Sequence, residues 1–148
     1  MDRLSNNEAL LSCAILHTMV HNVRDVALID IMVVLCADRA IRQRIPKYST
    51  YSDFVRSESR FENALNRKFK EMQPMIVNAM TMLLMSGMIN NLEDNEVDLS
   101  WEGSRLAFEA TDIDSMAVKD VYTASDHLVS LIVDMDTVSL YNDLRIVL

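Results

Sequence analysis

Glycine and proline are nearly missing from this chain, with two of each in 148 residues. That scarcity excludes a sheet-rich fold with many tight turns and argues against long loops. Gly87 and Gly103 alone cannot build a phosphate-cradling P-loop or a dinucleotide fingerprint, which need several glycines for close backbone approach. Cysteine is equally rare. Cys13 and Cys36 sit in apolar patterns and form no Cys-x-x-Cys pair, so they read as buried thiols of a reducing compartment. No Gly-x-Ser-x-Gly elbow is present, and no nucleophile stands beside an obvious base. Aromatic residues make up only 6%, so a core must come from aliphatic side chains and the eleven methionines. The apolar runs are interrupted by charge or amide before reaching spanning length, and Met1-Asp2-Arg3 does not lead into a signal-like stretch. A soluble, cytoplasmic protein is therefore expected.

Half of the residues are hydrophobic, enough for one real core in a single domain over residues 1–148. The formal charge of −8 argues against a protein that mainly coats nucleic acid. It is unevenly spread: residues 1–38 sum to −3, residues 39–70 to +6 and residues 71–148 to −11. The basic block holds Arg39, Arg42, Arg44, Lys47, Arg67, Lys68 and Lys70. These seven are candidate partner-binding residues for an acidic surface or a phosphate backbone; the competing reading is a solvated helical face.

Helical spacing dominates. Ser5 with Glu8 forms a capping-box pattern, followed by a helix to about Asn22. Asp25 opens a second helix, Val26 to Ala37, apolar on nearly every side and so expected to be central; a buried strand is the alternative for Ile31–Leu35. Ile45-Pro46 breaks the pattern, and Ser52 or Thr50 caps a short helix around Asp53–Arg56. A helix over 59–71, carrying Phe61, Leu65 and Phe69 on one face, precedes a new start at Gln73-Pro74. That next helix runs to Ser86, with Gly87 as the left-handed residue after its end. Two short strands, 88–90 and 97–99, flank a polar turn, and Ser100 caps a helix from Trp101 to about Ala110. Helices over 113–122 and 125–143 close the chain. The expected fold is mainly α: a winged-helix-like helical domain with one short β-hairpin and extra N- and C-terminal helices.

His17 and His21 lie four residues apart, which puts both imidazoles on one helix face, and Asp25 is a third ligand candidate one step on. Thr18, Met19 and Val20 between them lack the glutamate of a His-Glu-x-x-His site, so a helix-surface or partner-contact role is expected rather than a metal site. His127 is isolated in the sequence and reads the same way. Glu93, Asp94, Glu96 and Asp98 cluster in the hairpin, or wing, without the spacing and glycine of a calcium loop.

A winged helix that reads DNA carries basic or amide side chains on the helix before its wing. Here Pro74–Ser86 holds no basic residue and the wing is acidic, so phosphate would be repelled. The run of Met72, Met75, Met80, Met82, Met85 and Met88 suits either a core or an adaptable protein-binding face.

Several features in succession carry a resemblance. They are Asn6-Asn-Glu-Ala-Leu-Leu, the apolar helix passing into a charged stretch from Leu28 to Arg44, and the break Ile45-Pro46-Lys47. Phe61-Glu-Asn-Ala-Leu-Asn-Arg-Lys-Phe69, the helix entering Gly87-Met-Ile, Val97-Asp-Leu-Ser-Trp-Glu-Gly-Ser-Arg-Leu106, and Leu140-Tyr-Asn-Asp-Leu-Arg-Ile follow. Together, over about residues 6–148, the chain resembles the middle components of bacterial three-component ABC-type defence systems, including the small subunit of Lamassu-like systems. It departs from them at Met32-Val-Val-Leu35, where members commonly carry a Leu-Pro-Leu type stretch. The resemblance implies a non-catalytic adaptor without cofactor, linking an SMC/ABC-type ATPase dimer to an effector subunit, often a nuclease, in antiviral defence. DNA would be felt only indirectly through that complex. Reversing Arg39, Arg42 and Arg44 to Glu is then expected to weaken one subunit contact without unfolding the chain. Two other readings compete: a nucleic-acid-binding regulator using the basic block 39–70, and a small metal-dependent enzyme built on His17, His21 and Asp25.

Overall fold

The computed structural model describes residues 8–110 and 116–147. The capping box at Ser5 and the start of the helix expected at 113 lie outside them. The described residues are mainly helical, with one two-stranded antiparallel hairpin. No described helix is long and apolar enough to cross a membrane.

Two helices form the centre. Helix α1 (Glu8–Val20) buries Leu11, Ala14, Ile15, Leu16 and Met19, and ends where Asn22 takes a left-handed φ of 64°. Helix α2 (Val26–Ala37) is buried at every residue from Ile29 to Ala37. The strand alternative for Ile31–Leu35 is overturned. Asp25 accepts a hydrogen bond from the Ala27 N–H at 3.0 Å and starts the helix. Burial on all sides then outweighs the modest helical penalty of the β-branched residues.

Asp38 interrupts what looked like one helix running out into charge. Its backbone is extended, its N–H closes α2 on Val34, and its side chain caps α3 (Arg39–Arg44) through the Ile41 N–H. A tight 3₁₀ turn at Ile45–Lys47 leads to α4 (Tyr51–Glu58), which Thr50 caps.

The break expected at Gln73-Pro74 is absent. Helix α5 runs unbroken from Glu62 to Met85, 24 residues, about 36 Å, with Pro74 inside. Pro74 lies on the exposed side, as does Lys70, whose carbonyl loses its helical donor and can meet water instead. Leu65, Phe69, Met72, Ile76, Ala79 and Leu83 keep one continuous buried stripe across the proline. Gly87, at φ 77°, ends the helix: its N–H reaches Leu84 O and the Met88 N–H reaches Leu83 O, which satisfies two terminal carbonyls.

Strands β1 (Ile89–Asn91) and β2 (Val97–Leu99) pair in register Ile89 with Leu99 and Asn91 with Val97. Their turn uses positive φ at Asp94 and Asn95, residue types that tolerate it. The hairpin also bonds the α1–α2 connection, through Val97 N–H to Arg24 O (2.8 Å) and Val26 N–H to Asn95 O (2.9 Å). Helix α6 (Trp101–Ala110) follows, its Gly103 N–H held by the Ser100 hydroxyl. The order α5, β1, β2, α6 is compatible with a wing between helices.

Helix α7 (Met116–Ile132) passes straight through 122–125, where a break was expected, because Val121, Tyr122, Ala124, Ser125 and Leu128 form one unbroken buried face. The chain turns instead at 133–136, and Asp136 caps α8 (Thr137–Asp143). Asn66 ties down the following segment by donating to Arg145 O and accepting from the Val147 N–H.

Candidate protein-interaction site

The basic block divides into two groups. Arg42 is buried and donates to the Cys36 and Ala37 carbonyls at the end of α2. Arg44 grips Glu58 with two nitrogens, at 2.9 and 2.8 Å, and stacks over the ring of Phe61, which lies in a 3₁₀ turn before α5 and stays exposed outside the core. The adjacent carboxylate holds Arg44 even more firmly in its charged form. Tyr48 donates its hydroxyl to the same Glu58. Lys68 pairs with Asp38 at 3.3 Å. These three cations serve the fold, so the expectation that Arg42 and Arg44 can be reversed to Glu without unfolding is corrected. Arg39, Lys47, Arg67 and Lys70 remain exposed. Arg39 and Lys47 border a groove of about 620 Å³ between α3 and α7, shared with Gln43, Pro46 and Asp120.

The hairpin carries the four acids assigned to the expected wing. Glu93, Asp94 and Glu96 are exposed; Asp98 is half-buried beneath them.

The methionine run splits between core and surface. Met72 and Met80 are buried and Met75 and Met88 half-buried, but Met82 is 56% and Met85 83% exposed. With Val77, Asn78, Thr81 and Leu84 they give the outer face of the second half of α5 a surface without charge. Thr81 turns its hydroxyl back onto Val77 O, so it contributes its methyl group to that face. Beyond the hairpin, Trp101 opens α6 at 75% exposure. A second apolar concavity, about 750 Å³, lies between α2, α5 and Tyr141, around Phe69, Pro74 and Val77.

The histidines behave differently from the sequence expectation. Asp25 does not join them: one carboxylate oxygen caps α2 and the other accepts the Thr137 hydroxyl at 2.6 Å. Asp126 on α7 takes its place. His17 Nε2 lies 2.8 Å and His21 Nε2 2.7 Å from the same Asp126 oxygen. His17 stacks on Tyr122 at 4.0 Å. A partner more than a hundred residues away leaves no local trace, so spacing within α1 could find the pair and not the third member. His127, isolated in the sequence, has its Nε2 2.6 Å from Tyr48 O and joins α7 to the segment after the 3₁₀ turn.

Burial pushes the Cys36 thiol up to about 12 and raises Cys13 as well, which keeps both as thiols at neutral pH. Compared with known proteins, the chain matches no family model, no curated protein and no solved structure.

Proposed function

We propose that this chain is a non-catalytic adaptor that works by binding other proteins, as the small subunit between an SMC/ABC-type ATPase and an effector such as a nuclease in a bacterial defence complex. One observation carries the protein-binding part: the outer face of α5 presents Val77, Met82 and Met85 to solvent without a charged residue among them. Flexible apolar side chains suit a partner that shifts between two arrangements, as a sensing assembly must. The acidic hairpin that follows α5 in the chain disfavours nucleic acid around it. The ATPase and effector come from the resemblance of the sequence; the α5 face and the α3 groove are the surfaces we assign to them.

Copurification tests this. Expressed with the products of its neighbouring genes, the tagged chain is expected to retain a large ATPase and an effector through gel filtration. Elution as a lone monomer from such a mixture removes the reading.

A nucleic-acid regulator is the second reading, favoured by Arg39, Lys47, Arg67 and Lys70, which stay exposed. With Arg42, Arg44 and Lys68 engaged internally, its phosphate footprint is smaller than nine basic residues suggest. Duplex DNA binding by the isolated chain at low salt, weakening steeply as salt rises, would support it; no binding at low salt would dismiss it.

A further inference from the structure

We propose that His17, His21 and Asp126 form a binding site for one zinc-class divalent ion, bridging α1 to α7. The inference is independent of the adaptor reading. Both imidazoles present Nε2 to one point in space, and the three ligand atoms lie within 4.8 Å of one another. Zinc bound by nitrogen and oxygen at about 2.0–2.2 Å needs its ligands about 3.3 Å apart. The present 2.7–2.8 Å separations are hydrogen-bond lengths and the two nitrogens lie within 4.8 Å of each other, so admitting the ion needs the carboxylate to retreat by about half an ångström and the nitrogens to settle at the same spacing. Asp126 is the member that can move, because its side chain is more than half exposed.

The two histidines are already placed. His17 is buried and its ring is fixed by the stack on Tyr122. His21 follows the end of α1, where its N–H bonds to Thr18 O, and its ring stands edge-on to His17 at 5.5 Å. Pre-placed ligands lower the entropy lost on binding. Two imidazoles and one carboxylate select a borderline metal over magnesium or calcium, which require oxygen. Three protein ligands leave at least one coordination position on the exposed side of Asp126, open to water or to a donor from another protein.

The affinity is expected to be moderate. His17 Nδ1 is buried without a hydrogen-bond partner among the described residues, so nothing holds the proton that must reside there when Nε2 binds a metal. Lack of that outer support weakens a site about 10- to 100-fold.

The test titrates chelator-treated protein with zinc chloride by calorimetry and follows thermal unfolding. One zinc per chain is expected, with a Tm rise of about 5–10 °C at roughly a hundredfold excess over Kd. Magnesium chloride is expected to do neither. His21→Ala and Asp126→Asn, both at accessible positions, are each expected to weaken zinc at least about tenfold. Asp134→Asn, an exposed acid after α7, is expected to leave the titration unchanged. No saturable binding below about 100 µM zinc would overturn the proposal, as would binding that survives both ligand variants.

Discussion

Arg44 and Glu58 hold each other at two points, Nε on one carboxylate oxygen at 2.9 Å and Nη2 on the other at 2.8 Å, with the Glu58 side chain only 1% exposed. The pair fastens α3 to the end of α4, and Tyr48 closes the third side. Removing the arginine would strand a desolvated carboxylate. Arg44→Ala is expected to cost about 3 kcal/mol in urea unfolding, while Arg39→Glu, exposed on the same helix, stays within about 0.5 kcal/mol. Equal midpoints for the two variants would show that the pair contributes nothing to stability.

Gly103 is needed for a close approach. A Cβ there would stand 1.9 Å from Met88 O, and backbone cannot yield as a flexible side chain would. Gly103→Ala is expected to lower stability by about 2–3 kcal/mol and to loosen the hairpin from α6. Gly87→Ala meets open space and suffers only from its left-handed φ, so a loss of about 1–2 kcal/mol is expected. Reversal of that order in denaturant melts would contradict the packing.

Pro74 is tolerated in α5 rather than required by it. Pro74→Ala restores a donor for Lys70 O, and a gain of about 1–2 kcal/mol is expected after the loss of proline's restraint on the unfolded chain. A drop in Tm would mean that the proline sets a bend that the neighbouring packing depends on.

Asp30 is buried on α2 and accepts one hydrogen bond, from Gln73 Nε2 at 3.0 Å. Burial raises its pKa, and nearby Asp25 adds to the effect. The folded state therefore holds this proton more tightly than the unfolded chain. The resulting stabilisation is full below the unfolded pKa and is lost as pH rises through the folded one. Asp30→Asn is expected to raise the unfolding free energy at pH 7 by about 1 kcal/mol, since its amide can also donate to the unpaired Gln73 Oε1. At pH 3 the two proteins should differ much less; an equal gap at both pH values would exclude the buried charge as its cause.

Met82 and Met85 separate binding from folding. Met82→Glu with Met85→Glu is expected to leave the urea midpoint within about 1 kcal/mol and to abolish retention of the protein partner in copurification. Retention at wild-type level would move the contact away from α5.

Local grammar was legible in the sequence where one residue decides a boundary. Asp25, Thr50, Gly87 and Ser100 each cap or end an element as their chemistry requires. Continuity was less legible. Pro74 suggested a break that the buried stripe Leu65 to Leu83 carries through, and 122–125 offered no feature that would reveal a single long α7. Side-chain roles depended on distance along the chain. The acidic hairpin is local and emerged correctly; Arg42 and Arg44 turned inward because their acceptors, the α2 carbonyls and Glu58, become neighbours only when Asp38 redirects the chain. Asp126 could not be paired with α1 before α7 was laid beside it.

Because Asn95 and Val97 clasp the residues leading into α2, the hairpin is not an independent flap. The same run of hydrogen bonds reaches the first turn of α2 and continues through Asp25 to Thr137 on α8. Hairpin and first turn are thus expected to open to solvent together, their amides exchanging as one unit.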